Sequence, residues 1–242
     1  MSKIMLNFLF VSILLCCNVR AANMGTKELQ QKEHFKKDVV MSVDIKYLLY
    51  LPKDYNSTGK PFPLIIFLHG AGERGDNLDR LKVAGIPKVV ETDSNFPFVA
   101  ISPQCPANTL WIDHLESLKL LIDNIKGKYN IDKSRVYLTG LSLGGFGTWA
   151  LAAKYPNDFA AIAPICGGGD AFLANSYKMP IWVFHGAKDD IIPIKRSQEM
   201  VDAIKATGGN VKFTIYPELG HSCYVTAYND PNLYKWFLEQ KK

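Results

Sequence analysis

Leu64-Ile65-Ile66-Phe67-Leu68 is an unbroken apolar run of strand length, preceded by Pro63 and followed by His69-Gly70. A run this short with no polar alternation suits a strand buried on both faces, and such strands belong to parallel sheets covered by helices. The pattern recurs at Phe98–Ile101, Val136–Leu138, Ala161–Ala163, Ile181–Phe184 and Val211–Tyr216. Between the runs, Leu118, Leu121, Ile122 and Ile125 recur at spacings of three and four. Residues 144–154, 194–206 and 232–240 read as further helices, and Val39–Leu51 as an opening strand pair. Strands alternating with helices predict an α/β fold, a mainly parallel sheet flanked by helices. Sites in such sheets form beyond the carboxyl ends of the strands, so the residues just after each run matter most.

The 242-residue chain is 48% apolar, enough for one sizeable core. Its formal charge of +5 is scattered, without a long Lys/Arg run, which speaks for a solvated surface and against nucleic-acid binding. The first residues differ. Lys3 precedes a mostly apolar stretch, Ile4–Cys17, that is too short to span a bilayer comfortably, and Ala21 offers a cleavage point. Residues 1–21 therefore read as a signal peptide, 22–242 as a single domain, and the protein as secreted or periplasmic. A lipid anchor at Cys16 or Cys17 fits poorly, because Leu15 or Cys16 would replace the small residue expected before a lipidated cysteine. No stable membrane insertion is expected. The remaining cysteines, Cys105, Cys166 and Cys223, allow one bridge or none; Cys105 and Cys223 both fall near predicted site loops. No Cys-x-x-Cys and no paired histidine spacing points to a metal, and no cofactor is implied.

The third run ends in Gly140-Leu141-Ser142-Leu143-Gly144. A chain of this length meets Gly-x-Ser-x-Gly by chance about one time in ten; its weight comes from standing between a strand and a helix. That context sets a serine on a sharp turn with its hydroxyl above the sheet, near the partial positive charge of a helix N-terminus. A serine nucleophile needs a base, and the base needs an orienting carboxylate, in chain order Ser, acid, His. Asp189 and Asp190 follow the fifth run, with loop position favouring Asp189. His221 follows the sixth. His185 is a competing base that reads better as a structural turn residue. After the first run, His69-Gly70-Ala71-Gly72 can aim backbone N–H groups at the site. Ala71, with Gly72 as second choice, pairs with Leu143 as an oxyanion hole.

Taken together, His-Gly-Ala-Gly-Glu-Arg-Gly-Asp at 69–76, Ser-Pro-Gln-Cys-Pro at 102–106 followed by Trp111, the elbow at 140–149, His-Gly-Ala-Lys-Asp-Asp at 185–190 and Gly-His at 220–221 resemble one group. They are similar to α/β-hydrolase esterases of the phospholipase/carboxylesterase and dienelactone-hydrolase-like type, over nearly all of residues 38–240. The resemblance implies Ser142, Asp189 and His221 as catalytic residues, and Ala71 and Leu143 as oxyanion donors. It implies an ester substrate, small or on a polysaccharide, including acetyl and feruloyl esters. Dienelactone hydrolases proper carry a cysteine nucleophile, and Ser142 departs from that chemistry. Only residues 166–179 separate the fourth run from the acid-bearing run, too few for a helical cap domain, so an open site is expected. Trp111, Phe146, Trp149 and Tyr224 are candidate pocket aromatics. Trp111 is favoured as a substrate contact, and Trp149 reads as core. A serine peptidase on the same fold is the alternative. A non-catalytic binding protein fits poorly with an intact Ser-Asp-His order.

Overall fold

The computed structural model describes residues 33–38, 40–55, 57 and 59–242; the proposed leader at 1–21 lies outside them. Residues Ser42–Lys242 form one compact unit, to which every strand and helix named here belongs.

Seven strands make one sheet: β1 (Tyr47–Tyr50), β2 (Phe62–Leu68), β3 (Val99–Pro103), β4 (Ile131–Leu141), β5 (Ala161–Ile165), β6 (Ile181–Gly186) and β7 (Val211–Tyr216). Their order is β1-β3-β2-β4-β5-β6-β7, with β1 antiparallel to β3 and the other pairs parallel. This is the mainly parallel α/β architecture that the apolar runs predict, and the α/β-hydrolase fold that the resemblance implies. The expected opening strand pair is a single strand among the described residues. β1 pairs only with β3, and at its start the chain joins the sheet through Lys46, whose carbonyl accepts the Gln104 N–H at 2.8 Å.

The unbroken apolar runs have a direct structural cause. In β2, Leu64, Ile66 and Leu68 enter one core, while Ile65 and Phe67 enter the other. Successive side chains on a strand face opposite ways, so burial on both faces requires every position to be apolar. The first core is closed by α2 (Leu115–Lys128), α3 (Leu143–Lys154) and α4 (Lys195–Ala206), through Leu118, Ile122, Trp149 and Met200. The second is closed by α1 (Gly85–Thr92), α5 (Cys223–Asn229) and α6 (Pro231–Glu239), through Ile86, Tyr228 and Phe237. Helices α1 and α5 have no counterpart in the sequence reading. Both are short, at eight and seven residues, and helices of that length draw most of their stability from packing.

The chain leaves β2 toward β3 and returns past β2 to β4, so strand order reverses there. At such a switch point the loops after neighbouring strands diverge and leave a crevice. The loops in question begin at His69 and Ser142.

Candidate active site

Ser142 takes a backbone conformation of φ 53° and ψ −117° between β4 and α3. A side-chain-bearing residue is strained there, and the surroundings hold it in place. The Ser142 N–H donates to Ile165 O at 3.0 Å, and its carbonyl accepts from Phe146 N–H at 3.1 Å. The flanking glycines are demanded by contact. A Cβ on Gly144 would stand 1.9 Å from Leu68 O, and one on Gly140 would stand 2.4 Å from Gly144 O. The motif thus lets α3 begin against the end of β2.

His221, in the loop after β7, brings Nε2 to 3.0 Å from Ser142 Oγ. Its Nδ1 lies 2.8 Å from Asp189 Oδ2, in the loop after β6. A carboxylate accepts only, so the ring proton sits on Nδ1 and Nε2 is left to accept from the Ser142 hydroxyl. Asp189 is buried, whereas Asp190 is exposed. The other Asp189 oxygen accepts from the N–H groups of Ile191 and Ile192 at 3.0 and 2.9 Å. Burial alone would raise the Asp189 carboxyl; the Ile192 N–H, the His221 ring and the Ile191 N–H outweigh it and hold it below the ordinary carboxylate range.

His185 does not face Ser142. It is fully buried, with Nε2 3.1 Å from Asp189 Oδ2 and 2.9 Å from Ile192 O. Both neighbours are acceptors, so Nε2 carries a proton; Nδ1 lies 2.8 Å from Ser197 Oγ, whose hydroxyl donates to Gly167 O at 2.8 Å. Burial, working against the bond to Ile192 O and the nearby Asp189, lowers its pKa. His185 is a support for the carboxylate, and Ser197 on α4 is a partner that the sequence reading missed.

Ala71 and Leu143 each open a helical turn, so neither N–H has an acceptor within its own turn. Gly70, just before Ala71, lies beside the serine: a Cβ there would be 3.7 Å from Ser142 Cβ. The loop is pinned from below. His69 Nδ1 donates to Gly70 O at 2.6 Å, and Nε2 accepts from Cys105 N–H at 2.9 Å. Burial is the main cause that brings the His69 pKa down to about 4. Gln104 Nε2 donates to the carbonyls of Glu73 and Asn77 at 2.8 and 2.9 Å. His69 and Gln104 both stand inside motifs quoted for the resemblance, which is the signal that could have marked them.

Trp111 is placed differently from the sequence expectation. It is 1% exposed, its indole N–H donates to His69 O at 3.0 Å, and its ring meets His69 edge-on at 4.9 Å. It braces the loop and forms no open pocket wall. Gly147 makes room for it, since a Cβ there would fall 2.6 Å from Trp111 Cβ. Trp149 is core, as expected, against Tyr177. Tyr224 is half-buried beside His221, ring centroids 6.4 Å apart. Phe146 lines a groove of about 560 Å³ with Ile112, Leu115, Ala150, Leu173 and Arg196. The Arg196 guanidinium lies 5.9 Å from the centre of the Phe146 ring. The segment between β5 and β6 forms one 3-10 turn, Ala171–Ser176, along the groove, with Phe172 almost fully exposed.

The three cysteines among the described residues, Cys105, Cys166 and Cys223, are free and buried. Cys105 Sγ lies 3.5 Å from Thr109 Oγ1, whereas Cys166 and Cys223 are neighbours joined by a thiol hydrogen bond. Of the two outcomes their number allows, one bridge or none, the structure has none among these three.

Comparison with known proteins follows the same lines. The chain is 56% identical over 52 residues to poly(3-hydroxyalkanoate) depolymerase C of Paucimonas lemoignei, covering 22% of this chain and 13% of that protein. It is 38% identical over 87 residues to a bifunctional acetylxylan esterase/xylanase of Neocallimastix patriciarum, covering 35% and 12%. The matches thus span about an eighth of each relative's length. Among solved structures, a thermostable esterase superposes with a TM-score of 0.74 at 33% identity, covering 86% of this chain and 62% of that one. The sequence profile of the dienelactone hydrolase family matches residues 111–233, which include Ser142, Asp189 and His221. This chain belongs to the dienelactone hydrolase family.

Proposed function

We propose that the protein is a serine hydrolase of carboxylic esters that works through an acyl-enzyme. The observation that carries this reading is the continuous chain Ser142 Oγ, His221 Nε2, His221 Nδ1, Asp189 Oδ2, with links of 3.0 and 2.8 Å. Ser142 Oγ attacks the ester carbonyl carbon while His221 Nε2 takes its proton. The N–H groups of Ala71 and Leu143 stabilise the oxyanion. His221 returns the proton to the departing alcohol, and water then releases the acid by the same steps in reverse. Asp189 holds the imidazole tautomer that makes this transfer feasible.

The apolar groove beginning at Phe146, one helical turn beyond Ser142, supports esters with an extended apolar or aromatic part. The short β5–β6 segment supports an open site able to take an ester carried on a polysaccharide, such as an acetyl or feruloyl group. The apolar stretch after Lys3 supports export.

The test is turnover of p-nitrophenyl acetate, p-nitrophenyl butyrate, methyl ferulate, acetylated xylan and a peptide anilide, each repeated with Ser142→Ala. Ester turnover that disappears in the variant is expected. Turnover that persists in Ser142→Ala, or is confined to the anilide, would overturn the reading.

A further inference from the structure

Cys166 follows β5 with φ 40° and no exposure to solvent. Residues with a Cβ seldom adopt that backbone, and the serine mechanism makes no use of a thiol. The position of this thiol has a chemical consequence. One sulfur of Cys166, one carboxylate oxygen of Asp189 and one ring nitrogen of His221 all lie within 4.8 Å of one another. Thiolate, imidazole and carboxylate are the donors that zinc takes. An ion with bonds of about 2.0–2.3 Å holds tetrahedral ligands about 3.3–3.8 Å apart, so this triangle needs only local adjustment. Sequence spacing gives no hint of it, because residues 166, 189 and 221 come from three different loops. The way in is past His221, whose side chain is 16% exposed.

We propose that Cys166, Asp189 and His221 form a binding site for a thiophilic divalent cation of the zinc class, and that occupation of the site blocks hydrolysis. The inhibitory half rests on the serine-hydrolase reading; the binding half does not. On binding, the Cys166 thiol gives its proton to solvent and the thiolate bonds the ion. The Nδ1 lone pair of His221 becomes the nitrogen ligand, so the neutral ring carries its proton on Nε2. Nε2–H then faces Ser142 Oγ as a donor and cannot take its proton. The ion silences the serine without touching it.

Titration of the metal-free protein with Cd2+, followed by the ultraviolet charge-transfer band of cadmium thiolate, reads the site directly. One Cd2+ per chain is expected, lost in Cys166→Ser and weakened in His221→Gln, but kept in Cys105→Ser. In parallel, Zn2+ should inhibit ester turnover, EDTA should restore it, and Cys166→Ser should raise the inhibitory Zn2+ concentration about 10- to 100-fold. If the parent shows no thiolate band, or if Cys166→Ser binds Cd2+ and responds to Zn2+ as the parent does, the proposal fails. Should Cys166→Ser not fold, an unchanged Cd2+ titration in His221→Gln would overturn it equally. A protein with no esterase activity would sink the functional reading, and the cadmium band would still decide the site.

Discussion

Asp189 Oδ2 is held from two sides: His221 Nδ1 reaches it at 2.8 Å and His185 Nε2 at 3.1 Å. His185 thus does for the carboxylate what the carboxylate does for His221. A buried ring donates one proton to fix the orientation of the next group in line.

Adjacent aspartates should therefore behave very differently. Asp189→Asn presents an amide to Nδ1 and favours the wrong imidazole tautomer, for which a loss of about 10,000-fold in kcat is expected. Asp190→Asn alters an exposed side chain and should stay within about twofold of the parent. Steady-state kinetics on one activated ester compares the two. Equal losses would assign the carboxylate wrongly.

Stability should fall as pH is lowered from about 6.5 to about 4, through His69. Its folded pKa lies below the unfolded value, so the unfolded chain binds more protons in that window. The stabilisation is complete above the unfolded pKa and lost as pH falls through the folded one. The span corresponds to about 3 kcal/mol. Urea unfolding of parent and His69→Gln across that range checks it, with a flatter dependence expected in the variant.

Gly144→Ala should cost about 3 kcal/mol or more, because its Cβ would meet backbone oxygen at 1.9 Å with no flexible neighbour to yield. Gly72→Ala, where nothing lies within 4 Å, should leave the unfolding midpoint unchanged. Soluble yield and thermal midpoint of the two variants decide.

Leu173→Asp places a charge on the wall of the groove that Phe146 also lines. It should lower kcat/KM for methyl ferulate about tenfold and leave p-nitrophenyl acetate unchanged. An equal loss on both esters would disconnect the groove from substrate choice.

The parallel strands were legible because burial on both faces leaves no polar position, as in β2. Ser142, Asp189 and His221 were legible because each directly follows such a run, and the structure brings them together. Loop position already favoured Asp189 over Asp190; its physical cause is visible only in the structure, where the turn through Ile191 and Ile192 binds the Asp189 carboxylate. Trp111 misled because a loop tryptophan near a strand end reads equally as pocket wall or as brace. Its N–H partner, His69 O, lies 42 residues away. Helix α5, at seven residues, is too short to show a periodicity of its own, and the amphipathic pattern of α1 fills only about two turns.

The contact between Ser142 and His221 closes a stretch of chain 79 residues long. Contacts of such separation bear a high loop-closure entropy and form late, after the local elements they join. A refolding chain can regain most of its secondary structure while its serine still lacks a base. Recovery of reactivity toward a serine-directed probe should then lag recovery of helical signal, and the nucleophile becomes a clock for the last stage of folding.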